Sequence, residues 1–474
     1  MLLRDVLAEA TGAAADVPIS GLAYDDRRAG PGVAFFCVRG LTRDGHDFAA
    51  AAAANGAAAL VVDHRVDVDL PQVVVADVRA AMAPAAAALA GNPTASLSMV
   101  GVTGTNGKTT TAYLTRALLE AGGLRTGMLG TVEQVIGGRA EPAVRTTPEA
   151  IDLQPAFAAM RRAGDVACVM EVSSHALELH RADAIEWDVA IFTNLTQDHL
   201  DFHQTMEDYF AAKRRLFEAG PRISIINLDD PYGRRLAAAI PGALTIAIDD
   251  PDASLRATDV VGGFAGSRFV AGGLELEVGL PGRFNVLNAL GAVAAARALG
   301  VADEQIVAAL PAAGRVPGRF EPVDAGQDFA VIVDYAHTPD SLDNVLHAAR
   351  ELTAGRVLVV FGCGGDRDRG KRPQMGAIAG RLADVAYVTS DNPRSEAPDA
   401  IIAEILAGVA PRTAVESIAD RTEAIAAAVG AARAGDVVVI AGKGHEQGQE
   451  FADGVKLPFD DLEVARAALM AVRS

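Results

Sequence analysis

The sequence predicts an α/β protein with largely parallel sheets, divided into three blocks. Apolar β-branched runs alternate with Ala/Leu/Arg segments of helical period along most of the chain, the pattern of parallel strands joined by helices. The chain has 474 residues, and at about 150 residues per domain this makes roughly three domains. Turn clusters at Gly91-Asn92-Pro93 and between Pro311 and Gly318 mark the cuts, giving blocks 1–97, 98–314 and 315–474. A softer break, Asp249–Ser267, reads as an excursion inside the middle block.

Composition narrows the function. Half the residues are hydrophobic, enough for each block to bury a core. With 61 acidic against 42 basic residues the net charge is −19, which opposes a nucleic-acid-coating role. Met1–Ala10 carries Arg4, Asp5 and Glu9, unlike an export leader. The Ala-rich stretch Phe48–Leu60 is too short and too weakly apolar to span a bilayer. Cys37, Cys168 and Cys363 are scattered and odd in number, so they make neither a disulfide framework nor a metal knuckle. A cytoplasmic protein is expected. Only five basic residues are lysine: Lys108, Lys213, Lys371, Lys443 and Lys456. A bias toward arginine removes lysine wherever any cation serves. The survivors are candidates for work that needs a compact ammonium or a reactive amine.

The short apolar run Ser98–Val102 leads into Thr103-Gly104-Thr105-Asn106-Gly107-Lys108-Thr109-Thr110 and then the helical segment Thr111–Ala121. Strand, glycine-rich loop, Lys-Thr and helix form a P-loop layout, in which backbone N–H groups and a helix N-terminus face phosphate. Lys108 would reach the terminal phosphates and Thr109 would ligate Mg²⁺. The first glycine of the common spacing is replaced by Val102, so the loop is a variant. Glu171 stands near the carboxyl end of a second apolar run, Val166–Val172, where doubly wound sheets bind ligands. It suits a metal ligand, although alone it reads better as a solvated strand-end carboxylate. His199 follows a third run, Asp188–Phe192, and is either a ligand or a structural histidine. Lys213-Arg214-Arg215 lies on a helical stretch that would ordinarily be a solvated basic face.

In the third block, the runs Val357–Phe361, Val385–Thr389 and Val437–Ala441 deliver Arg367, Asp391, Asn392, Arg394, Gly442 and Glu446 to one rim. Both charge signs meet there, which suits a zwitterion: a carboxylate takes a bidentate arginine and an ammonium takes a carboxylate.

These stretches together resemble the Mur ligase family, ATP-dependent amide-forming enzymes of peptidoglycan precursor synthesis. The matching elements are Gly101–Thr110, Glu171-Val172-Ser173-Ser174-His175, Asn194-Leu195, Asp198-His199-Leu200-Asp201 and Tyr209–Lys213. They continue through Gly282–Asn288, Pro317–Glu321, Asp334–Asp340 and Asp391-Asn392-Pro393-Arg394. The resemblance implies a UDP-sugar domain, a central P-loop ATPase domain and a C-terminal Rossmann-like domain. It implies ATP contacts from Gly104, Thr105, Asn106, Gly107, Lys108, Thr109 and Thr110. Asn194 and Asn285 would lie near the base, and Arg319, Asp334 and His337 near ribose or phosphates. It also implies that CO₂ carbamylates Lys213. A carbamate turns a cation into an anion with oxygen donors, the type Mg²⁺ prefers, and it would join Glu171 and His199 as a ligand.

Within the family, Asp391-Asn392-Pro393-Arg394 is the motif of members that add meso-diaminopimelate, and lysine-adding relatives lack the arginine. The expected reaction attaches that amino acid to the γ-carboxylate of UDP-N-acetylmuramoyl-L-alanyl-D-glutamate through an acyl phosphate. Arg367, Asp391, Asn392, Pro393, Arg394, Gly442 and Glu446 would hold the incoming amino acid. Asp26, Thr146, Thr147, Ser173 and Arg181 align with the UDP-muramoyl-peptide contacts. Asp26 departs from the family's serine, and a carboxylate beside a diphosphate is repelled unless Arg27, Arg28 or Arg39 screens it. Gly314–Gly318 is the expected hinge. The partners implied are small molecules alone, with no nucleic acid, no membrane insertion and a monomeric chain. The alternatives are the same reaction with L-lysine or another diamino acid, a folylpolyglutamate-type ligase, a P-loop kinase and a non-catalytic nucleotide sensor.

Overall fold

A computed structural model describes residues 1–40, 43–313, 316–410 and 414–473. The cut at 314/315 and the first two residues of the expected hinge, Gly314 and Arg315, lie outside the described residues. The chain packs as two compact units. The first comprises residues 1–103, 123–190 and 212–224, and the second 104–122, 191–211 and 225–474.

In the first unit, Gly21–Ala23, Val33–Phe36, Ala59–Val62 and Gln72–Val74 form a parallel sheet in chain order. Its apolar residues feed two cores, one around Phe36, Val61 and Met82 and the other around Phe35, Leu60 and Ala52. The same unit holds Ala167–Glu171 between Ser98–Thr103 and Thr126–Leu129, both parallel to it. The strands Glu133–Ile136 and Arg139–Pro142 then extend the edge antiparallel. Burial on both faces explains why the strand Ala167–Glu171 reads as an unbroken apolar run.

In the second unit, residues 225–227 of the strand Ile223–Asn227, with Leu244–Ala247 and Leu255–Gly263, run parallel. Gly266–Ala271 and Leu274–Val278 follow antiparallel. The expected excursion Asp249–Ser267 therefore belongs to a run of hairpins that continues a sheet. The C-terminal sheet has the order Glu321–Pro322, Ala330–Asp334, Val437–Ala441, Val357–Phe361, Val385–Val388, Ala414–Ser417, and all but the first strand are parallel. The chain steps outward through three strands and then returns to insert Val437–Ala441 between Ala330–Asp334 and Val357–Phe361. That reversal opens a crevice at the carboxyl ends. Alternation decides the two faces: Val357, Val359 and Phe361 pack with Met375 and Ile405, whereas Leu358 and Val360 pack with Ile425 and Leu469.

A buried ion pair braces this crevice from behind. Arg421 opens the helix Arg421–Ala431 and Asp461 opens the helix Asp461–Arg473. Their side chains are fully buried and joined by two hydrogen bonds of 2.8 and 2.7 Å. Arg421 also donates to the carbonyl of Ala441 at 3.0 Å, at the end of a crevice strand. Arg421→Leu leaves Asp461 buried without its partner and is expected to cost about 3–5 kcal/mol, read as a lowered urea midpoint. Adding Asp461→Leu is expected to recover most of that loss, and a single variant as stable as the parent would show that the pair carries no such load.

Candidate active site

Val102 occupies the first glycine position of the loop because the strand Ser98–Thr103 has not yet ended there. Its residue pairs with Glu171 in the ladder, and its carbonyl accepts from the N–H of Val172 at 2.8 Å. The turn follows at Gly104, with φ +151°; a Cβ there would lie 1.8 Å from Thr193 Oγ1. The helix begins at Lys108, three residues before the start read from sequence, and it carries Thr109 and Thr110 in its first turn. Lys108 Nζ donates to the carbonyls of Gly104 and Thr105, at 2.9 and 2.8 Å.

Side chains hold the loop's shape. Thr193 Oγ1 donates to the Asn106 carbonyl at 2.6 Å. Asn194 clamps Asn106 twice, accepting from its N–H at 2.9 Å and donating to its carbonyl at 3.1 Å. Thr105 Oγ1 donates to the Thr196 carbonyl at 3.1 Å and lies 3.2 Å from the hydroxyl of Tyr209. Asn194 is thus committed to the loop backbone. Asn285 is buried, donates to the Pro281 carbonyl at 2.7 Å and accepts from Asn288 at 3.1 Å.

The same unit brings the crevice of the C-terminal sheet to this loop. Arg319 donates to Thr109 Oγ1 at 3.2 Å and stacks its guanidinium 4.3 Å from the centre of the Tyr335 ring. Asn106 Nδ2 donates to Asp340 at 2.7 Å. Gln197 donates to Asp368 at 2.9 Å, and Arg367 lies 3.8 Å from Asp201. Burial raises the carboxyl of Asp340 and that of Asp334, which accepts the Phe320 N–H at 2.6 Å. His337 lies 2.8 Å from the Tyr335 carbonyl, and burial followed by the Lys371 charge lowers its pKa. Asp198 sits between His199 at 3.4 Å and His337 at 3.9 Å. Burial acts to raise Asp198, yet His199, His337 and Lys371 together hold it down at about 2.

The rim residues converge as the strand ends require. Asp391 and Asn392 are buried beside Gly442, where a Cβ would lie 2.5 Å from Asp391 Oδ2. Burial raises Asp391, but Lys443 and Arg421 outweigh it and hold the carboxyl below its ordinary range. Asn392 donates to Glu446 at 2.9 Å. Pro393 packs its carbonyl against Gly365. Arg394, with φ +50°, donates to Glu450 at 2.9 Å and to the Gly365 carbonyl at 2.8 Å. Asp366 is turned away to Ser395, with an oxygen 2.6 Å from its hydroxyl.

In the first unit, Glu171 is buried rather than solvated, and it accepts from the N–H and hydroxyl of Thr131 at 2.8 and 3.0 Å. Thr146, Thr147, Ser173 and Arg181 gather around it. Thr146 lies 3.0 Å from Thr131, and Thr147 donates to the Glu171 carbonyl at 2.8 Å and accepts from the Ser173 N–H at 3.1 Å. Arg181 donates to the Thr147 carbonyl at 3.2 Å and pairs with Glu149 at 2.9 Å. Glu149, which sequence reasoning missed, also pairs with Arg145 at 3.1 Å and Arg79 at 3.5 Å. Its signal was its place directly after Thr-Thr-Pro. Lys213 is likewise buried, not part of a solvated face.

Asp26 lies on a half-buried turn. Arg27, Arg28 and Arg39 pair instead with Asp25, Asp152 and Asp63. His46, Asp63 and His64 form a metal-like cluster, but Arg39 already places a cation on Asp63 at 2.6 Å.

A P-loop joined to a Rossmann-like crevice defines a nucleotide-dependent α/β enzyme. The models described as Mur ligase family, catalytic domain, Mur ligase middle domain and Mur ligase, glutamate ligase domain match residues 18–93, 102–296 and 318–444. The chain belongs to the Mur ligase family. It is 48% identical over 466 residues to a UDP-N-acetylmuramoyl-L-alanyl-D-glutamate–2,6-diaminopimelate ligase of Geobacillus kaustophilus, covering 95% of each chain. A protein of the same name from Syntrophomonas wolfei is 46% identical, with 99% of this chain and 98% of that one covered. A solved structure of that name is 34% identical with a TM-score of 0.70, covering 98% and 97% of the two chains.

Gly104→Ala forces a methyl group onto Thr193 and thereby distorts the Asn106 clamp. ADP affinity measured by calorimetry is expected to fall about tenfold or more with the far-UV spectrum unchanged. Parental affinity would show that the loop does not need this conformation.

Proposed function

We propose that this chain is the ATP-dependent ligase that joins meso-2,6-diaminopimelate to the γ-carboxylate of UDP-N-acetylmuramoyl-L-alanyl-D-glutamate in peptidoglycan precursor synthesis. One observation carries the reading. Asp391-Asn392-Pro393-Arg394, Gly442 and Glu446 share one rim with both charge signs, in a chain nearly half identical to ligases of that name. Blocks 1–97, 98–314 and 315–474 serve as UDP-sugar, ATP and amino-acid domains. The enzyme acts as a monomer in the cytoplasm.

Lys108 and the loop N–H groups hold the phosphates of ATP. An oxygen of the D-glutamyl γ-carboxylate attacks the terminal phosphorus, the bond to ADP breaks, and an acyl phosphate results. The free amine then attacks the acyl carbon, loses a proton and expels phosphate. Arg319, Asp334 and His337 bind ribose or phosphates. Asp26, Thr146, Thr147, Ser173 and Arg181 bind the UDP-muramoyl peptide. Arg367 and Arg394 face the carboxylates of diaminopimelate, and Asp391 and Glu446 face its ammonium groups.

The donor set fits Mg²⁺. Thr109 and Glu171 supply hard oxygens, His199 supplies a ring nitrogen, and a carbamate on Lys213 would replace a repelled ammonium by further oxygens. Bound Mg²⁺ offsets the charge of the transferring phosphoryl group. Lys213 is buried, and its primary amine can react with CO₂ where an arginine could not.

Phosphate release with ATP and the UDP-dipeptide is expected to require meso-diaminopimelate and to be weak with L-lysine; equal rates would overturn the selectivity. Arg394→Ala is expected to lose diaminopimelate preferentially, and an equal fall with both amino acids would remove its selecting role. Lys213→Ala is expected to lose most activity and regain part of it with a short-chain carboxylate in the buffer. Full activity of that variant without rescue would contradict the carbamate.

A further inference from the structure

The proposed reaction leaves Lys443 unused, yet its side chain is wholly buried at the carboxyl end of the strand Val437–Ala441. Its ammonium donates to Asn392 Oδ1 at 2.9 Å and to Glu446 Oε2 at 3.0 Å. Asn392 Oδ1 also accepts the N–H of Glu450 at 2.9 Å, while its Nδ2 donates to Glu446 Oε2 at 2.9 Å. Two donors on one side of the amide fix which way it faces, because a flipped carboxamide would set its NH₂ against an ammonium and an N–H. The other oxygen of Glu446, Oε1, lies 3.3 Å from the Tyr335 hydroxyl. Lys443 thus orients two rim residues at once through three compact donors, where an arginine fork would demand a planar partner.

We propose that Lys443 is the positioning residue of the amino-acid site: its ammonium locks Asn392 and Glu446 so that the Glu446 carboxylate meets the ammonium of the incoming diamino acid. The inference rests on the reading that this rim binds diaminopimelate. Lys443 does not touch the substrate; it acts through the two side chains it holds, and its charge also helps keep Asp391 low. Its loss therefore weakens amino-acid capture without altering nucleotide binding. Once Glu446 has been neutralised, removing Lys443 disturbs only the Asn392 amide and the field at Asp391, a smaller effect than in the parent.

The test is steady-state kinetics on full-length Lys443→Met, Glu446→Gln and the double variant, with ADP affinity measured by calorimetry. Both single variants are expected to raise KM for diaminopimelate about tenfold or more. KM for ATP and ADP affinity should stay within about twofold, the pattern of a lost contact to one substrate. The double variant should stay within about threefold of Glu446→Gln, because residues acting as a unit are not additive. It leaves no unpaired Glu446 charge, so this comparison still decides the matter if Lys443→Met alone folds poorly. A diaminopimelate KM in the double variant equal to the product of the two single effects would overturn the proposal. So would parallel loss of ADP affinity in the double variant, or an unchanged KM in Lys443→Met. If Glu446→Gln leaves KM unchanged, the assignment of the rim itself fails, and the inference falls with it.

Discussion

Charge buried at the carboxyl ends of parallel strands must be paired, and the C-terminal crevice is organised around that constraint. Asp391, Lys443, Arg421 and Asp461 are buried within one stretch of the fold. An unpaired ion in such surroundings costs several kcal/mol, whereas a hydrogen-bonded set is tolerated. Arg421 takes Asp461 and the Ala441 carbonyl, and Lys443 takes Asn392 and Glu446. Asp391 lies in the field of both cations and is held ionised against its burial. The arrangement leaves both charge signs paired at the rim.

The phosphate loop obeys a related rule with neutral groups. Its carbonyls and N–H groups are held by Thr193, Asn194 and Thr105. The residue that tops it, Asn106, reaches Asp340 at the start of the helix Pro339–Leu352. Thr109 meets Arg319 close by. The loop and the crevice of the second unit therefore share side chains, so a change in one is felt by the other. Proximity of that kind is where much of a ligase's rate originates.

Much of this was legible in the sequence. The strands Val357–Phe361 and Val437–Ala441 stand where the unbroken apolar runs put them, because burial on both faces leaves no polar alternation to blur their ends. The helix after the loop starts earlier than expected: Thr109 and Thr110 are β-branched and weak helix formers, yet the chain leaving the loop turns helical at Lys108 and takes both into the first turn. Asp249–Ser267 reads as an excursion because it is rich in Asp, Gly and Ala, yet the strand Leu255–Gly263 and the start of Gly266–Ala271 fall inside it. Glu149, beside Thr-Thr-Pro, and Asp340, inside the stretch Asp334–Asp340, carried local signals only, since one partner of each lies far off in sequence: Arg79 for the first and Asn106 for the second. The scarcity of lysine was the better guide. Lys213, Lys371 and Lys443 are all buried, whereas Lys456, outside every motif, is exposed.

In the proposed mechanism the buried Lys213 carries a carbamate during phosphoryl transfer. Carbon-13 NMR of the protein equilibrated with ¹³C-bicarbonate tests this most directly. The expected result is a carbamate resonance that disappears in Lys213→Met. Absence of that resonance in the parent protein, or its survival in the variant, would contradict it.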